Sequence, residues 1–504
     1  MEHPVPQSRL AKLRDFLWPI YGIEHKKFLP MTIMISLILF NYTVIRNTKD
    51  VLVTTATDGS EIITFLKFWV VLPLSVIFFL AYSKLSNIFS RQALFYGFIG
   101  FFLLFFALFA LVFYPYQNII HPIQSADKAI NYLPAGFKHF INIYKYWSFS
   151  LFYALAELWG VLIGTLMFWQ FANSIVKVSE AKRFYAHFYL LANLATAFSG
   201  VVSKYFASKG KGIADPTLAY SVTIEYLMGT VFVCGICIML LYFYMNKYVL
   251  TDERLVDVSD IQKTKKKLKM SLMQSVKFIL SSPYLLWIAV LVISYGVSIN
   301  LVEVAWKNQV KLNFSNPSDQ QAFWGTFVQF SGISTFIMIL IGSYLIRATG
   351  WKIGALATPV MIGVTGLLFF ALMIFGKAFD PLTSALGMTA LGMAVFVGAV
   401  QNILSKSTKY ALFDPTKEMS YIPLDEESKI KGKAAVDVVG GRFGKGGGAA
   451  IQQFMFLFVG PVAVVAPYTA TILLLIVAIW IVGVFKLHKL FIAAGGEQKE
   501  TSNG

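Results

Sequence analysis

The stretch LPMTIMISLILFNYTVIRNTKDVLVTTA (29–56) combines a long apolar run with ionisable residues. About 20 apolar residues suffice for a helix to cross a bilayer, so residues 29–49 are predicted to span a membrane. A charge in hydrocarbon is costly and is kept mostly where it faces a partner, a water-filled cavity or a charged substrate. Because Arg46, Lys49 and Asp50 are spaced i, i+3 and i+4, they share one helix face and are predicted to line a cavity.

An alternative is that these residues only reach the membrane–water interface with their long side chains. The apolar character of VLVTTA (51–56), which follows them, favours the cavity. A cluster of cations with a few carboxylates inside apolar segments predicts a polytopic carrier for a multiply charged anion.

The composition is that of a membrane protein. Of the 504 residues, 57% are hydrophobic and 14% charged, against about a quarter charged in soluble chains. The net charge of +17 does not predict nucleic-acid binding, because the cations lie mainly in short loops between apolar runs. Cys234 and Cys237 lie within an apolar run and are interpreted as packing residues. No Cys/His cluster or Ser/His/Asp set is recognisable, so neither a metal nor a cofactor is expected.

The fold class predicted is an all-α membrane protein with about twelve transmembrane helices. The predicted spans are 29–49, 63–83, 93–114, 147–171, 184–203, 220–245, 284–305, 322–347, 352–376, 383–404, 433–459 and 463–486. A basic linker divides them into two six-helix bundles, and the predicted domains are 1–28, 29–245, 246–283, 284–486 and 487–504. By analogy, this 6+6 pattern is that of a major-facilitator-like carrier, in which the substrate binds between the halves.

The distribution of Lys and Arg predicts the orientation. Roughly three times as many of them fall in one set of loops as in the other, so both termini are predicted to be cytoplasmic. The first apolar run is too long for a signal peptide and is expected to be retained. A multi-pass protein of a bacterial inner membrane is therefore predicted, with the loop 115–146 outside.

Three further ionisable residues fall in or near predicted spans. Lys67 lies early in the second span, where a single Lys usually snorkels to the interface. Glu157 lies deep in the fourth span without a cation at i±3 or i±4, so it needs a partner on another helix or a proton. Glu303, in the seventh span, has Lys307 at i+4 as a local partner. Charge pairs between the ends of the first and seventh spans are a hypothesis for closing the outer face of an empty carrier.

GGRFGKGGG (440–448) places Arg442 and Lys445 on one face among glycines. Glycine permits close approach of a ligand and weakens a helix, so that amides can turn toward an anion. A soluble phosphate-binding loop needs GxxxxGK[ST] between a strand and a helix, which is absent here. Helix packing alone explains the glycines, but the two cations favour phosphate binding.

One further segment and one histidine carry polar groups near the predicted spans. The polar stretch 409–435 is predicted to be a cytoplasmic connection, with a lateral helix at the inner gate left open as a possibility. His187 is interpreted as a packed or interfacial histidine rather than a ligand.

Several longer strings resemble the ATP/ADP translocase family, the nucleotide transporters of plastids and obligate intracellular bacteria. They are RNTKD (46–50), AELWG (156–160), FWQFAN (168–173), EAKRFY (180–185), NLVEVAWK (300–307), FDPTKEMSYIPLD (413–425) and KGKAAVDVVGGRFGKGGG (431–448). The resemblance covers nearly the whole chain. The family's charged residues that are important for transport match Lys49, Glu157, Glu303 and Lys445. Family members often have GKSGG where this chain has Gly446, so one hydroxyl is missing.

The resemblance implies exchange of external ATP for internal ADP, by which a parasite or symbiont draws energy from its host. Its other members carry different nucleotides, couple to protons or exchange NAD, so a broad-specificity or proton-coupled importer is the alternative. Glu157 is the better proton carrier in that case. The expected partners are ATP and ADP, with phosphate in question, and the bilayer, for a monomeric carrier that is not an enzyme. A membrane-embedded enzyme acting on nucleotide or phospho-substrates is the alternative of another class, but the sequence contains no recognisable set of catalytic residues. A purely structural membrane protein would leave the intramembrane cations unexplained.

Overall fold

The computed structural model describes residues 18, 20–57, 59–134, 137–252, 255, 272–425 and 428–496. Within the helices, the side chains at 178, 179, 182, 186, 189, 272, 343, 430, 438, 441, 442 and 445 lie outside this description. Parts of the predicted N-terminal segment, basic linker and C-terminal tail (1–17, 19, 256–271 and 497–504) also lie outside it.

The described residues form helices and connections, without a strand. The long helices, numbered along the chain, are α1 His25–Ala56, α2 Ile62–Leu85, α3 Arg91–Phe113, α4 Trp147–Ile175, α5 Val178–Ala207, α6 Pro216–Val249, α7 Pro283–Asn313, α8 and α9 within Pro317–Ile374, α10 Ala390–Met419, α11 Lys433–Phe458 and α12 Val462–Ala493. Shorter helices, Ile123–Tyr132 and Lys138–Lys145, lie in the loop 115–146.

The helix starts follow local capping chemistry. The side chain of Ser282 accepts a hydrogen bond from the Leu285 amide, and Pro283 is the first residue of α7. Asn316 caps α8 in the same way before Pro317. A polar cap followed by proline suits a helix start, because the first amides have no partner within the helix. Gly350, with φ of 79°, separates α8 (317–349) from α9 (351–374).

Ten helices among the described residues are long and apolar enough to cross a membrane, or eleven if the bent pair Gly376–Ala385 and Ala390–Met419 forms one span. The helix at the predicted eleventh span, Lys433–Phe458, is not among the ten. The first helix extends well past the predicted end at residue 49, to Ala56. Its charged cluster therefore lies inside the helix rather than at its end.

The helices α1–α6 are called the N-half here, and α7–α12 the C-half. The backbones of the two halves approach closely where α5 packs on α8. A Cβ atom built on Gly200 would lie 2.3 Å from the carbonyl oxygen of Gly325, and one on Gly325 would lie 2.6 Å from that of Gly200. Only glycine at both positions lets the two backbones come this close.

The two ends of the bundle are named by what they carry. The termini face holds the start of α1 and the end of α12, and the loop face holds the loop 115–146. Hydrogen bonds join the two halves at the loop face: Ser60 Oγ to Val304 O at 2.8 Å, Gln453 Nε2 to Thr64 O at 2.7 Å, and the Val462 amide to Glu61 Oε1 at 3.0 Å. Further toward the bundle interior, Thr54 Oγ1 lies 3.0 Å from Gln320 Oε1. The described loop face is therefore closed.

Contacts at the termini face tie each half to itself. In the N-half, Lys27 of α1 pairs with Glu180 of α5 at 2.5 Å and donates to the carbonyl of Ile175 at 3.3 Å. In the C-half, the Tyr284 hydroxyl of α7 donates to the carbonyl of Ser420, after α10, at 2.7 Å. In each half, the first helix is thus bonded to the segment that follows the fourth helix of that half.

We predict that Gly200→Ala lowers stability, because the added Cβ must push α5 away from α8. Overpacking of this kind costs about 1–3 kcal/mol. The measurement is the apparent Tm of purified protein in detergent. Gly229→Ala on α6 is the matched control, since nothing lies within 4 Å of a Cβ at that position. Equal Tm values for the two variants would contradict the close helix packing.

Candidate functional site

A network of ion pairs lies inside the bundle between the two halves. Lys49 of α1 lies 2.8 Å from Asp50 and 3.1 Å from Glu157 of α4. Lys307 of α7 lies 2.8 Å from Asp50 and 2.7 Å from Glu303. Asp50 therefore accepts hydrogen bonds from one lysine of each half, and it joins α1 to α7.

Two more cations approach the network at longer distances. Arg46 of α1 lies 3.7 Å from Glu303, and Lys67 of α2 lies 3.6 Å from the other oxygen of the same carboxylate. Both contacts cross from the N-half to the C-half. This geometry brings together the charges that the sequence predicted to meet at the outer ends of the first and seventh spans.

The network lies deep in the bundle. Lys49 and Lys307 are six or seven residues before the ends of their helices, which corresponds to about 10 Å of helix. Burying an ion costs several kcal/mol unless its partner is close and well oriented. Four cations (Arg46, Lys49, Lys67 and Lys307) here face three carboxylates (Asp50, Glu157 and Glu303), so most of the buried charge is compensated.

Lys49 is the most enclosed of the predicted cations whose side chains are described. Its side chain is 1% exposed, and its ammonium lies 3.6 Å from the ring centroid of Tyr153. Tyr153 precedes Glu157 by one turn of α4, so one helix supplies both an aromatic face and a carboxylate. Of the two alternatives for Glu157, a partner on another helix or a proton, the structure has the partner, and a role of this carboxylate in transport stays a prediction. In this conformation Lys49 belongs to the ion-pair network.

Arg46 is far more open. Its side chain is 43% exposed and touches Glu303 only at 3.7 Å. Part of its guanidinium is therefore available to another anion. Of the predicted phosphate-binding residues whose side chains are described, Arg46 is the accessible one.

Lys67 does not snorkel to the interface, so that interpretation was wrong. The segment Leu66–Val71 has π-helical hydrogen bonding, which changes the direction of the side chains on one turn. Lys67 points to Glu303, and its side chain is 27% exposed. A π-helical turn has no recognisable sequence pattern, so the sequence does not predict it.

The side chains of Arg442 and Lys445 lie outside the described residues, but the backbone around them is described. The segment 440–448 is continuously α-helical within α11. Gly440, Gly444 and Gly448 lie against α7, where added Cβ atoms would meet Val292, Gly296 and Asn300.

Two other glycines of this segment behave differently. A Cβ on Gly446 or Gly447 would meet nothing within 4 Å. The glycines therefore divide into a packing face and an open face. The predicted turning of amides toward an anion does not occur in this conformation, because helical hydrogen bonding persists.

The polar stretch 409–435 closes the C-half on itself. Its first part continues α10 to Met419, and the Trp351 ring nitrogen of α9 donates to the carbonyl of Thr416 at 2.8 Å. Lys433 of α11 pairs with Glu418 at 2.6 Å. The contacts described for this stretch hold α7, α9, α10 and α11 of one half together.

Two residues that sequence reasoning passed over contribute charge here. Lys307 was noted only as a local partner of Glu303, a pairing that is confirmed, yet it also binds Asp50 of the other half. Lys406 of α10 adds a further positive charge to the C-half. Sequence analysis did not select it because it lies just beyond the predicted span 383–404, where a lysine is expected at the membrane–water interface.

The remaining candidates have ordinary structural roles. His187 packs edge-on against Trp18 and Phe28, which confirms the interpretation as a packed residue. Cys234 and Cys237 are free thiols on α6. The described residues bring no three His, Cys, Asp or Glu side chains together for a metal ion.

The helical bundle with charges between its halves defines a class of protein, the polytopic membrane proteins of the major-facilitator-like fold. Two solved structures share the fold: a bacterial homologue of the iron transporter ferroportin in an inward-facing state (TM-score 0.57, 14% identity, covering 95% of this chain and 99% of that one) and a D-xylose–proton symporter (TM-score 0.57, 12% identity, covering 95% and 100%).

The sequence matches the TLC ATP/ADP transporter family over residues 4–491. It is 52% identical to ADP,ATP carrier protein 1 of Chlamydia muridarum, over 98% of this chain and 94% of the relative. Identity is 47% with the chloroplastic ADP,ATP carrier protein 1 of Arabidopsis thaliana (95% and 77% covered) and 42% with ADP,ATP carrier protein 1 of Rickettsia prowazekii (96% and 97%). The chain belongs to the TLC ATP/ADP transporter family, and it is a carrier rather than an enzyme.

We predict that Asp50→Asn destabilises the protein by about 3–5 kcal/mol, because it leaves two buried lysines without their shared partner. Asp50→Asn combined with Lys307→Gln should recover part of the loss. The apparent Tm in detergent measures both. Glu418→Gln, which breaks an exposed pair with Lys433, is the control and should cost about 0–1 kcal/mol. A fully additive double variant would show that Asp50 and Lys307 are not coupled.

Proposed function

We propose that this protein exchanges ATP for ADP across a bacterial inner membrane by alternating access, with both termini in the cytoplasm. The observation that carries the proposal is the ion-pair network, which joins the halves next to the half-exposed Arg46. Relatives named ADP,ATP carriers match nearly the whole chain, which supports the choice of nucleotides. The loop face is the outer face, and the conformation is closed to the outside.

Electrostatics explain why fixed cations suit this substrate. A unit charge pair at about 4 Å is worth roughly 4 kcal/mol at an effective dielectric of 20, so several cations offset the dehydration of a polyphosphate. Arg46, Lys49, Arg442 and Lys445 are the proposed phosphate-binding residues, and Arg binds phosphate oxygens bidentately. Lys67 and Asp50 are secondary contributors.

The carboxylates act as internal competitors of the substrate. Glu157 and Glu303 hold Lys49, Lys67, Lys307 and Arg46 while the carrier is closed to the outside. Phosphate that binds Arg46 weakens its contact with Glu303, which loosens a link between the halves. Glu157 and Glu303 are therefore the proposed gating carboxylates.

The same competition accounts for exchange. An empty carrier that opened outward would separate Asp50 from Lys307 and leave buried charge without a partner. A bound nucleotide replaces those contacts, so the halves rock with substrate and resist rocking without it. The protein works as a monomer of two six-helix bundles (29–245 and 284–486). Whether phosphate travels with ADP decides the charge balance of each cycle.

The first test is uptake of labelled ATP into liposomes containing the protein, with and without ADP inside. We expect uptake only with internal ADP, and a loss of more than tenfold in Lys445→Ala. Uptake that does not need internal ADP would indicate a proton-coupled importer. Uptake of another nucleotide or NAD in place of ATP would overturn the substrate assignment.

A second prediction concerns the closed loop face. In a Cys234→Ser/Cys237→Ser background, Ser60→Cys and Val304→Cys joined by a short bifunctional thiol reagent should fix the outer gate shut. Exchange should fall to under about a tenth of its rate, since the halves can no longer part there. ATP binding from the termini face should persist. The single variant Ser60→Cys, treated identically, is the control, and unchanged exchange in the cross-linked protein would refute this gate.

A further inference from the structure

The loop 115–146 carries an aromatic surface that the ion-pair network does not use. Phe137, Phe140 and Tyr144 are spaced i, i+3 and i+7 at the start of the helix Lys138–Lys145 and along it, so they share one face. The side chain of Phe137 is 48% exposed and that of Tyr144 is 55% exposed. Exposed aromatic side chains at the end of a membrane-spanning bundle are typical of residues at the membrane–water interface.

The depth of this helix follows from its contacts with α2. The ring centroid of Phe140 lies 5.2 Å from that of Phe65 and 5.7 Å from that of Trp69. These two residues follow Ile62, where α2 begins, by about 5 and 10 Å along the helix. The 24 residues of α2 are about 36 Å long, whereas the hydrocarbon core of a bilayer is about 30 Å thick. Phe140 therefore lies at the level where the hydrocarbon ends and not in the water above it.

The side of α2 that contacts this helix points away from the centre of the bundle. Lys67 reaches inward to Glu303 at 3.6 Å, and side chains two residues apart on a helix do not face the same way. Trp69 accordingly points outward, and its side chain is exposed. Leu72 and Val76 continue this exposed apolar stripe along the span. The aromatic face of the helix 138–145 is therefore continuous with a lipid-facing stripe of α2.

The opposite face of the helix 138–145 rests on the closed loop face. The ring of His139 stacks on that of Phe65 at 4.7 Å between centroids. A small pocket is lined jointly by Lys138, His139, Asn142, Thr57, Gly59 and Glu61. Glu61 and Thr64 accept the hydrogen bonds from Val462 and Gln453 that join the halves. The helix thus lies between the lipid and the N-half side of the outer seam.

We propose that the helix Lys138–Lys145 is an interfacial helix, and that its face of Phe137, Phe140 and Tyr144 binds the phospholipid surface at the loop face of the bundle. Aromatic rings are favoured at the level of the headgroups. The exposed ammonium of Lys138 suits the phosphate of a headgroup. Because the same helix contacts the segment that closes the loop face, the lipid holds the N-half side of the outer seam in place. The inference goes beyond the proposed function and does not depend on it.

The test measures the depth of this face in a bilayer. Phe137→Cys and Tyr144→Cys, each in a Cys234→Ser/Cys237→Ser background, are labelled with a nitroxide in vesicles of phosphatidylcholine and phosphatidylglycerol. Power-saturation EPR then compares collisions of the label with oxygen, which concentrates in lipid, and with a water-soluble nickel chelate. We expect oxygen collisions to exceed chelate collisions at both positions.

Gln124→Cys is the matched control in the same loop. Gln124 is exposed on the helix Ile123–Tyr132 and shares a polar face with Asp127, three residues later. Its label should collide more often with the nickel chelate than with oxygen. Labels at Phe137 and Tyr144 that behave like the label at Gln124 would overturn the lipid contact.

A second measurement tests the hold on the outer seam. Ser60 is buried in the closed loop face, so the reaction of Ser60→Cys with a membrane-impermeant thiol reagent reports opening of the seam. Tyr144→Asp places a charge against the lipid and should raise this reaction rate severalfold, whereas Tyr144→Phe and Gln124→Asp should leave it unchanged. Equal rates in Tyr144→Asp and the unsubstituted background would refute the hold on the seam. Neither measurement uses a nucleotide, so a failure here is distinct from a failure of the proposed exchange.

Discussion

The Asp50 carboxylate is the contact on which the arrangement of the two halves depends. Each of its oxygens accepts from a lysine at 2.8 Å, one from Lys49 of the N-half and one from Lys307 of the C-half. A buried lysine without a partner is strongly destabilising. Lys49 and Lys307 each have another carboxylate in their own half, Glu157 and Glu303, but Lys307 reaches Asp50 only because α7 lies beside α1. The hydrogen bonds of Ser60 and Glu61 follow from that approach.

The division of cations between paired and open ones gives the site its chemistry. Lys49 and Lys307 are enclosed, whereas Arg46 is 43% exposed beside the same network. Carboxylates and phosphates compete for the same donors, because both accept charge-assisted hydrogen bonds from Arg and Lys. A site built this way responds to the charge of its ligand, and the response is transmitted directly to a contact between the halves through Glu303.

Much of the fold was accessible from the sequence because long apolar runs report helices directly. Charge in such runs identified Arg46, Lys49, Glu157 and Glu303, since its cost in hydrocarbon demands a partner. That reasoning could not say which cation pairs with which carboxylate. The shared role of Asp50 depends on α7 lying beside α1, and a contact between residues 257 positions apart has no local signature.

The misjudged residues show where the sequence signal ends. Lys67 was assigned to the interface because a single Lys early in a span usually reaches it, and no local pattern shows that Glu303 of the other half lies 3.6 Å from its ammonium. Lys406 was missed because the predicted span ended at 404, while the helix continues to Met419. In GGRFGKGGG the glycine pattern alone could not separate the packing face from the open face, since both have the same composition.

The two faces of the bundle are held by contacts of different kinds, and this asymmetry suits a rocking motion. At the termini face, Lys27–Glu180 and Tyr284–Ser420 lie within one half each, so they survive any movement of one half against the other. At the loop face and in the ion-pair network, the contacts cross between halves and must break together for the outside to open. The close backbone approach at Gly200 and Gly325 lies between helices α5 and α8 and has no side chain to disengage. Alternating access requires that each half stays rigid and that the contacts between the halves at the outer face can break. It also requires a helix contact, such as that of α5 and α8, along which the halves can move.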